Sequence, residues 1–374
     1  MINYSRQSID NDDIEAVVQA LKSDFITGGK RVEEFEEALC RYVGTKYAVA
    51  MNSATSSLHV AYLCAELKKD DEIITTPLTF MATSNAALMV GAKPVFCDVK
   101  SDANIDENKI ESLISPKTKA IVPVDFGGKP VEIQKIKSIC KKHNLLLIED
   151  SCHALGSEFN GKKVGIDADI AIFSFHAIKP ITTCGEGGAL VTNSKEIYKR
   201  AKLLRSHAIE KKRVWNSDAF ELGYNYRMSD ISASLGISQL KKLDRFIEKR
   251  EQIAKFYDKT FKGNPYFYTQ KLPAHIKSSY HLYPIFLDRS LWCAKEEIYE
   301  ELHKRGIGVQ VHYKPVYQFS LYKNLFKEQK LHNAEEVYKS ELSIPCHQEM
   351  SLEDAKFVAI NLMDVLKKQN HCRK

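Results

Sequence analysis

Lys179 closes the apolar, aromatic run Phe173-Ser174-Phe175-His176-Ala177-Ile178-Lys179 and precedes the glycine-rich turn Gly185-Glu186-Gly187-Gly188. Partial burial and neighbouring positive charge lower a lysine's pKa, and a neutral amine can bond covalently to a carbonyl carbon. The bland alternative is a solvated surface charge, which is what most lysines are. A second run, Leu145-Leu146-Leu147-Ile148-Glu149-Asp150-Ser151-Cys152-His153-Ala154, carries two carboxylates and then a histidine out of an apolar strand. A carboxylate beside a heteroaromatic nitrogen keeps that nitrogen protonated. Pyridoxal phosphate needs such a partner if its ring is to act as an electron sink. A strand-terminal aspartate also serves as an ordinary cap or turn residue.

Two further segments suit an anion. Asn52-Ser53-Ala54-Thr55-Ser56-Ser57-Leu58 leads from a strand into an apolar helix, whose free N–H groups and positive dipole end are open to a phosphate. It is equally a plain Ser/Thr N-cap. Gly223-Tyr224-Asn225-Tyr226-Arg227-Met228-Ser229 offers an amide and a guanidinium, either for an anion or to anchor the helix that follows.

The elements that must position these residues follow from periodicity. Ile14, Val17, Val18 and Leu21 fall at helical spacing between Asp10 and Lys22, and Val32, Phe35 and Leu39 repeat the pattern. Short apolar runs at Tyr47–Ala50, Glu72–Thr75, Pro94–Asp98, Ala120–Asp125, Leu145–Asp150, Ala171–Phe175 and Ala189–Thr192 read as strands alternating with helices. That alternation predicts an α/β sandwich around a mostly parallel sheet, with ligands gathered at the carboxyl edge. Beyond Arg227 the pattern predicts one long helix from Ser229 to about Lys262 that bridges two domains. A strand at His281–Leu287, a helix at Ala294–Arg305, a strand at Ile307–Val311 and a last helix from Ser351 follow. We place the boundary at 245/246, giving a large α/β domain (1–245) and a smaller α+β domain (246–374).

A chain of 374 residues, 44% hydrophobic and 27% charged, is long enough for that pair of domains. The net charge of +6 is interspersed and forms no basic stripe, so a small anionic ligand is expected and a nucleic acid is not. The nine cysteines are scattered, with no C-x-x-C pair, which predicts reduced thiols in a cytoplasm and no metal site. No leader and no apolar run of membrane-spanning length is read, so no membrane partner is expected.

Asn52–Leu58, Glu149–Ala154, Ser174–Lys179 with Gly185–Gly188, and Gly223–Ser229, in this order and spacing, resemble the DegT/DnrJ/EryC1/StrS sugar aminotransferases over nearly the whole chain. The resemblance implies the fold type I architecture of pyridoxal-phosphate transferases. It implies Lys179 as the lysine bonded to the cofactor, Asp150 at the pyridine nitrogen, and Ala54, Thr55 and Ser174 at the cofactor phosphate. It further puts His153 near the ring hydroxyl and Phe80, in Thr79-Phe80-Met81-Ala82-Thr83, on the ring face. Asn225 would reach the phosphate of a neighbouring subunit's cofactor, so that a homodimer shares its active sites. For substrate it implies Tyr4, Asp24, Phe25, Ile26 and Thr27, and the segment Val311, His312, Tyr313 and Lys314.

The segment Ser174–Thr183 is similar to the family's subgroup that aminates C4 of a UDP-linked 4-keto-6-deoxy-N-acetylhexosamine, with L-glutamate as donor. Related dehydratases carry histidine in place of the cofactor lysine; here Lys179 is present, and His176 lies three residues before it. The motifs leave open another nucleotide, a 3-keto sugar or another C4 epimer. A Rossmann-type nucleotide-sugar oxidoreductase would need G-x-G-x-x-G where this chain has Asn52–Leu58. A non-catalytic binding protein on the same fold would lack bound cofactor.

Overall fold

The computed structural model describes residues 1–326 and 329–369, so Cys372 lies outside the described residues. Seven strands form the central sheet in the order Tyr47–Met51, Gly188–Thr192, Ile170–Ser174, Leu146–Asp150, Thr118–Val122, Glu72–Thr75, Lys93–Phe96. Gly188–Thr192 runs antiparallel to both its neighbours, and the other pairings are parallel. The sheet is therefore mostly parallel, as the alternating pattern predicts.

Side chains alternate across a strand, and here both faces are covered. Ala48, Ala50, Leu147, Ala171 and Phe173 join one core with Phe35 and Leu39 of the helix Lys30–Val43. Their neighbours Val49, Met51, Ile148, Ile170 and Ile172 join the other with Leu58 and Val60 of the helix Ala54–Cys64. Two-sided burial is why these strands read as continuous apolar runs. The expected strands at Pro94–Asp98 and Ala120–Asp125 end earlier, at Phe96 and Val122. In the second case Pro123 has no N–H to extend the ladder.

The single helix expected over 229–262 is two, Asp230–Leu240 and Leu243–Thr260. The break falls at Lys242, whose amine is ion-paired with Asp10 and Asp13 at the start of the first helix. Leu243, Phe246 and Ile247 pack into the core under the sheet. Ile253, Ala254 and Tyr257 pack instead with Ile285, Leu287, Ile298 and Leu362, so one helix enters both cores. That second core lies under a three-stranded sheet, Phe267–Thr269, Tyr283–Leu287 and Glu341–Ile344, and the helices Lys295–Lys304 and Leu352–Lys368. The strand expected at Ile307–Val311 does not form. Its backbone makes only isolated bridges, Ile307 to Ile2 on one side and Gln310 to Ser343 on the other. Among the described residues no helix is long and apolar enough to cross a membrane.

Candidate active site

The carboxyl ends of the sheet strands open into a cavity of about 740 Å³, within the range of small-molecule sites. Asp150, Ser174, Lys179, His153, Ala54, Thr55, Phe80, Tyr4 and the segment Val311–Lys314 all line it. The structure thus brings together residues 4 to 314 from six separate stretches of sequence. Asp24, Phe25, Ile26 and Thr27 do not join them; they form an exposed turn, with Phe25 65% accessible. Asn225 is likewise exposed and outside its own chain's cavity, its carbonyl facing the Asn52 side-chain amide at 3.4 Å.

Asp150 is the last residue of its strand and is buried. Its Oδ2 accepts the Thr83 hydroxyl at 2.7 Å, its Oδ1 accepts the Cys152 N–H at 3.3 Å, and Thr79 pairs with Thr83 at 2.9 Å. Two donors orient the carboxylate. Glu149, one residue earlier, points to the opposite face and accepts the Gly165 N–H at 2.7 Å, so only one of the two predicted carboxylates reaches the cavity.

At one wall the helix Ala54–Cys64 presents its first turn. Ser53 caps it through a reciprocal pair with Ser56, and the Ser57 N–H goes to the Ser53 carbonyl. The N–H groups of Ala54 and Thr55 have no partner among the described residues and remain at the positive end of the helix dipole. Both readings of this segment therefore hold together: it is a cap, and it leaves donors free for an anion. The strand start at Gly188 permits the approach, since a Cβ there would sit 2.4 Å from the Ala54 nitrogen.

Burial lowers the Lys179 amine to about 8. Its Nζ lies 3.4 Å from His281 Nε2, a contact the sequence did not signal. Burial also holds His281 and His153 far below the usual histidine range, with the Lys179 charge adding to it, so both rings are neutral. His153 Nδ1 accepts the Gly127 N–H at 3.3 Å, which leaves the ring hydrogen on Nε2, 3.1 Å from the Tyr313 hydroxyl. The two histidine rings lie 4.5 Å apart between centres, tilted at 52°. His281 opens the run His281–Leu287 expected to be a strand, which begins only at Tyr283, and by sequence it looks like a core residue, while Thr83 looks like any polar residue of a short helix. Only the fold places them against Lys179 and Asp150.

A buried carboxylate on the floor, a neutralisable amine beside it and unpaired N–H groups at the wall suit a ring with a basic nitrogen, an aldehyde and a phosphate. Among the described residues no cluster of metal-ligating side chains accompanies them.

The family model for DegT/DnrJ/EryC1/StrS aminotransferases matches residues 7–363. A Campylobacter jejuni protein named UDP-4-amino-4,6-dideoxy-N-acetyl-beta-L-altrosamine transaminase is 58% identical over 371 residues, covering 98% of each chain. A Helicobacter pylori protein of the same name is 48% identical, covering 96% of each. Among solved structures, Helicobacter pylori PseC, an aminotransferase involved in pseudaminic acid biosynthesis, superposes with a TM-score of 0.96 at 46% identity, over 98% of this chain and 99% of that one. The putative sugar aminotransferase Spr1654 of Streptococcus pneumoniae, in its PMP form, superposes at 0.94 with 30% identity over 99% and 100%.

Proposed function

Because the chain belongs to the DegT/DnrJ/EryC1/StrS aminotransferase family, we propose that it is a pyridoxal-phosphate transaminase acting in pseudaminic acid biosynthesis. It converts UDP-2-acetamido-2,6-dideoxy-beta-L-arabino-hex-4-ulose to UDP-4-amino-4,6-dideoxy-N-acetyl-beta-L-altrosamine, taking the amino group from L-glutamate. The observation that carries this reading is the Lys179 amine, lowered to about 8 by burial, in one cavity with the Asp150 carboxylate and the open helix start at Ala54. The relatives' names supply the sugar.

When bound, the cofactor supplies an aldehyde for the amine and a ring that withdraws electrons from a carbon next to nitrogen. Lys179 would bond to that aldehyde, Asp150 would face the ring nitrogen, and Ala54, Thr55 and Ser174 would hold the phosphate. His153 would meet the ring hydroxyl, and Phe80, which lines the same cavity and is 63% accessible, would offer its aromatic face to the ring. Once free, the Lys179 amine takes a proton from the α-carbon of glutamate and in the second half-reaction delivers one to sugar C4. The side on which Lys179 stands then fixes the configuration of the new amine.

Residues 1–245 supply the cofactor contacts, and residues 246–374 close the cavity with Val311–Lys314, next to Tyr4. Asn225 and the Asp24–Thr27 turn, exposed outside their own cavity, serve the site of a second subunit in a homodimer. The setting we assign is the cytoplasm. Incubating the protein with glutamate and a panel of UDP-linked keto sugars, and reading the product by NMR, tests the proposal. Amination of the 4-keto-L-arabino sugar alone supports it, and amination only of a 3-keto sugar or another epimer refutes the substrate.

A further inference from the structure

On the sugar side of the cavity, His312 is held from behind by a carboxylate. Glu341 and Ser343 are alternate residues of the strand Glu341–Ile344, so they share one face, while Leu342 and Ile344 join the core. Ser343 donates its hydroxyl hydrogen to Glu341 Oε1 at 2.6 Å, and His312 Nδ1 lies 2.9 Å from Ser343 Oγ. The other oxygen, Glu341 Oε2, accepts the His312 backbone N–H at 2.6 Å. Glu341 and Ser343 are fully buried. One carboxylate therefore fixes both the backbone and the ring of His312.

Hydrogen counting sets the tautomer. The serine hydroxyl has one hydrogen and gives it to Glu341, so its oxygen can only accept from Nδ1, which must carry the ring hydrogen. Burial raises the Glu341 carboxyl to about 8, while the Ser343 hydroxyl, the Lys295 charge and the His312 backbone N–H pull it back toward the ionised form. Above that pH the carboxylate can only accept, and it makes 2.6 Å contacts at both oxygens. Burial drives His312 down to about 3, so the ring is neutral and Nε2 is a bare lone pair. His312 Nε2 has no partner among the described residues, and the ring borders the cavity beside Tyr4, at 5.4 Å between ring centres.

We infer that Glu341, acting through Ser343, locks His312 in the Nδ1–H tautomer so that Nε2 accepts a hydrogen bond from an O–H or N–H of the keto sugar. This rests on the reading of the cavity as a nucleotide-sugar site. Glu341 and Ser343 are positioning residues; a sugar lacking that donor, or a ring turned to the other tautomer, leaves a buried polar group unpaired.

Holoenzyme labelled with ¹⁵N-histidine, with His312 assigned through a His312→Asn variant, reads the tautomer directly by long-range ¹⁵N–¹H correlation. At pH 9, where the Glu341 carboxyl is ionised, the expected wild-type state is Nδ1–H. In Glu341→Gln the amide can donate to Ser343, which then donates to Nδ1, so the ring switches to Nε2–H. Ser343→Ala loses the lock, and Ser343→Thr retains it. With the switch, KM for the UDP-keto sugar rises roughly tenfold in Glu341→Gln and Ser343→Ala, while the half-reaction with glutamate stays within about threefold. An Nε2–H ring in the wild type, an unchanged ring in Glu341→Gln, or an unchanged KM with a switched ring overturns the inference. If no UDP-keto sugar is turned over while glutamate still reacts, the substrate reading fails separately, and the tautomer still upholds or refutes the relay.

Discussion

The Thr83 hydroxyl donates to Asp150 Oδ2 at 2.7 Å beneath the cavity floor, tying a short helix to the end of the central strand. Hydrogen bonds to a charged group are worth about 1.5–3 kcal/mol, more than neutral ones. Thr83→Val removes the donor at nearly constant volume. Pyridoxal phosphate should then dissociate roughly 10- to 150-fold more readily, measured by equilibrium dialysis, with the fold intact by circular dichroism. An unchanged dissociation constant would show that the carboxylate needs no such support.

The lowered pKa of Lys179 predicts how the apoprotein takes up cofactor. Only the neutral amine attacks an aldehyde, so the capture rate should rise about tenfold per pH unit below about 8 and level off above it. An ordinary lysine would keep gaining past pH 10. Stopped-flow absorbance of apoprotein mixed with pyridoxal phosphate separates the two profiles.

Gly188 is required by contact distance. An added methyl would meet the Ala54 nitrogen at 2.4 Å and the Ser53 carbonyl carbon at 2.5 Å, all backbone atoms that cannot swing aside. Gly188→Ala should cost about 1–3 kcal/mol of stability or more and should loosen cofactor binding, because the strained atoms belong to the proposed phosphate wall. Thermal unfolding and cofactor titration check both parts. A stable variant with normal cofactor affinity would remove the helix start from the site.

Asn225 lies outside its own cavity, and in a shared-site homodimer two differently damaged subunits can restore one intact site. Lys179→Ala and Asn225→Ala should each be nearly inactive, and mixing them after subunit exchange should recover up to about a quarter of wild-type activity, the share expected if half the dimers are hybrids with one good site each. Failure to recover with exchange proven by mass spectrometry would place Asn225 outside the neighbouring site.

Much of this site is legible in sequence because it stands at strand ends. Asp150, Ser174 and Ser53 each sit where an apolar run stops, and their run lengths locate them within a residue or two. His281 is hidden for the opposite reason. It lies just before the buried strand Tyr283–Leu287 and 102 residues from Lys179, so only tertiary packing joins them. The break at Lys242 is hidden too, since no glycine or proline marks it; the Lys242 amine there pairs with Asp10 and Asp13, far away in sequence. Ile307, Val309 and Val311 carry the period of a strand, yet their backbone divides between Ile2 and Ser343 and never builds a ladder.

The most direct test is covalent. Reducing the holoenzyme with borohydride and mapping the pyridoxyl group by peptide mass spectrometry should find it on Lys179 alone, at close to one per chain. Label on a different lysine, with Lys179 unmodified, would contradict the assignment of the amine on which the whole mechanism turns.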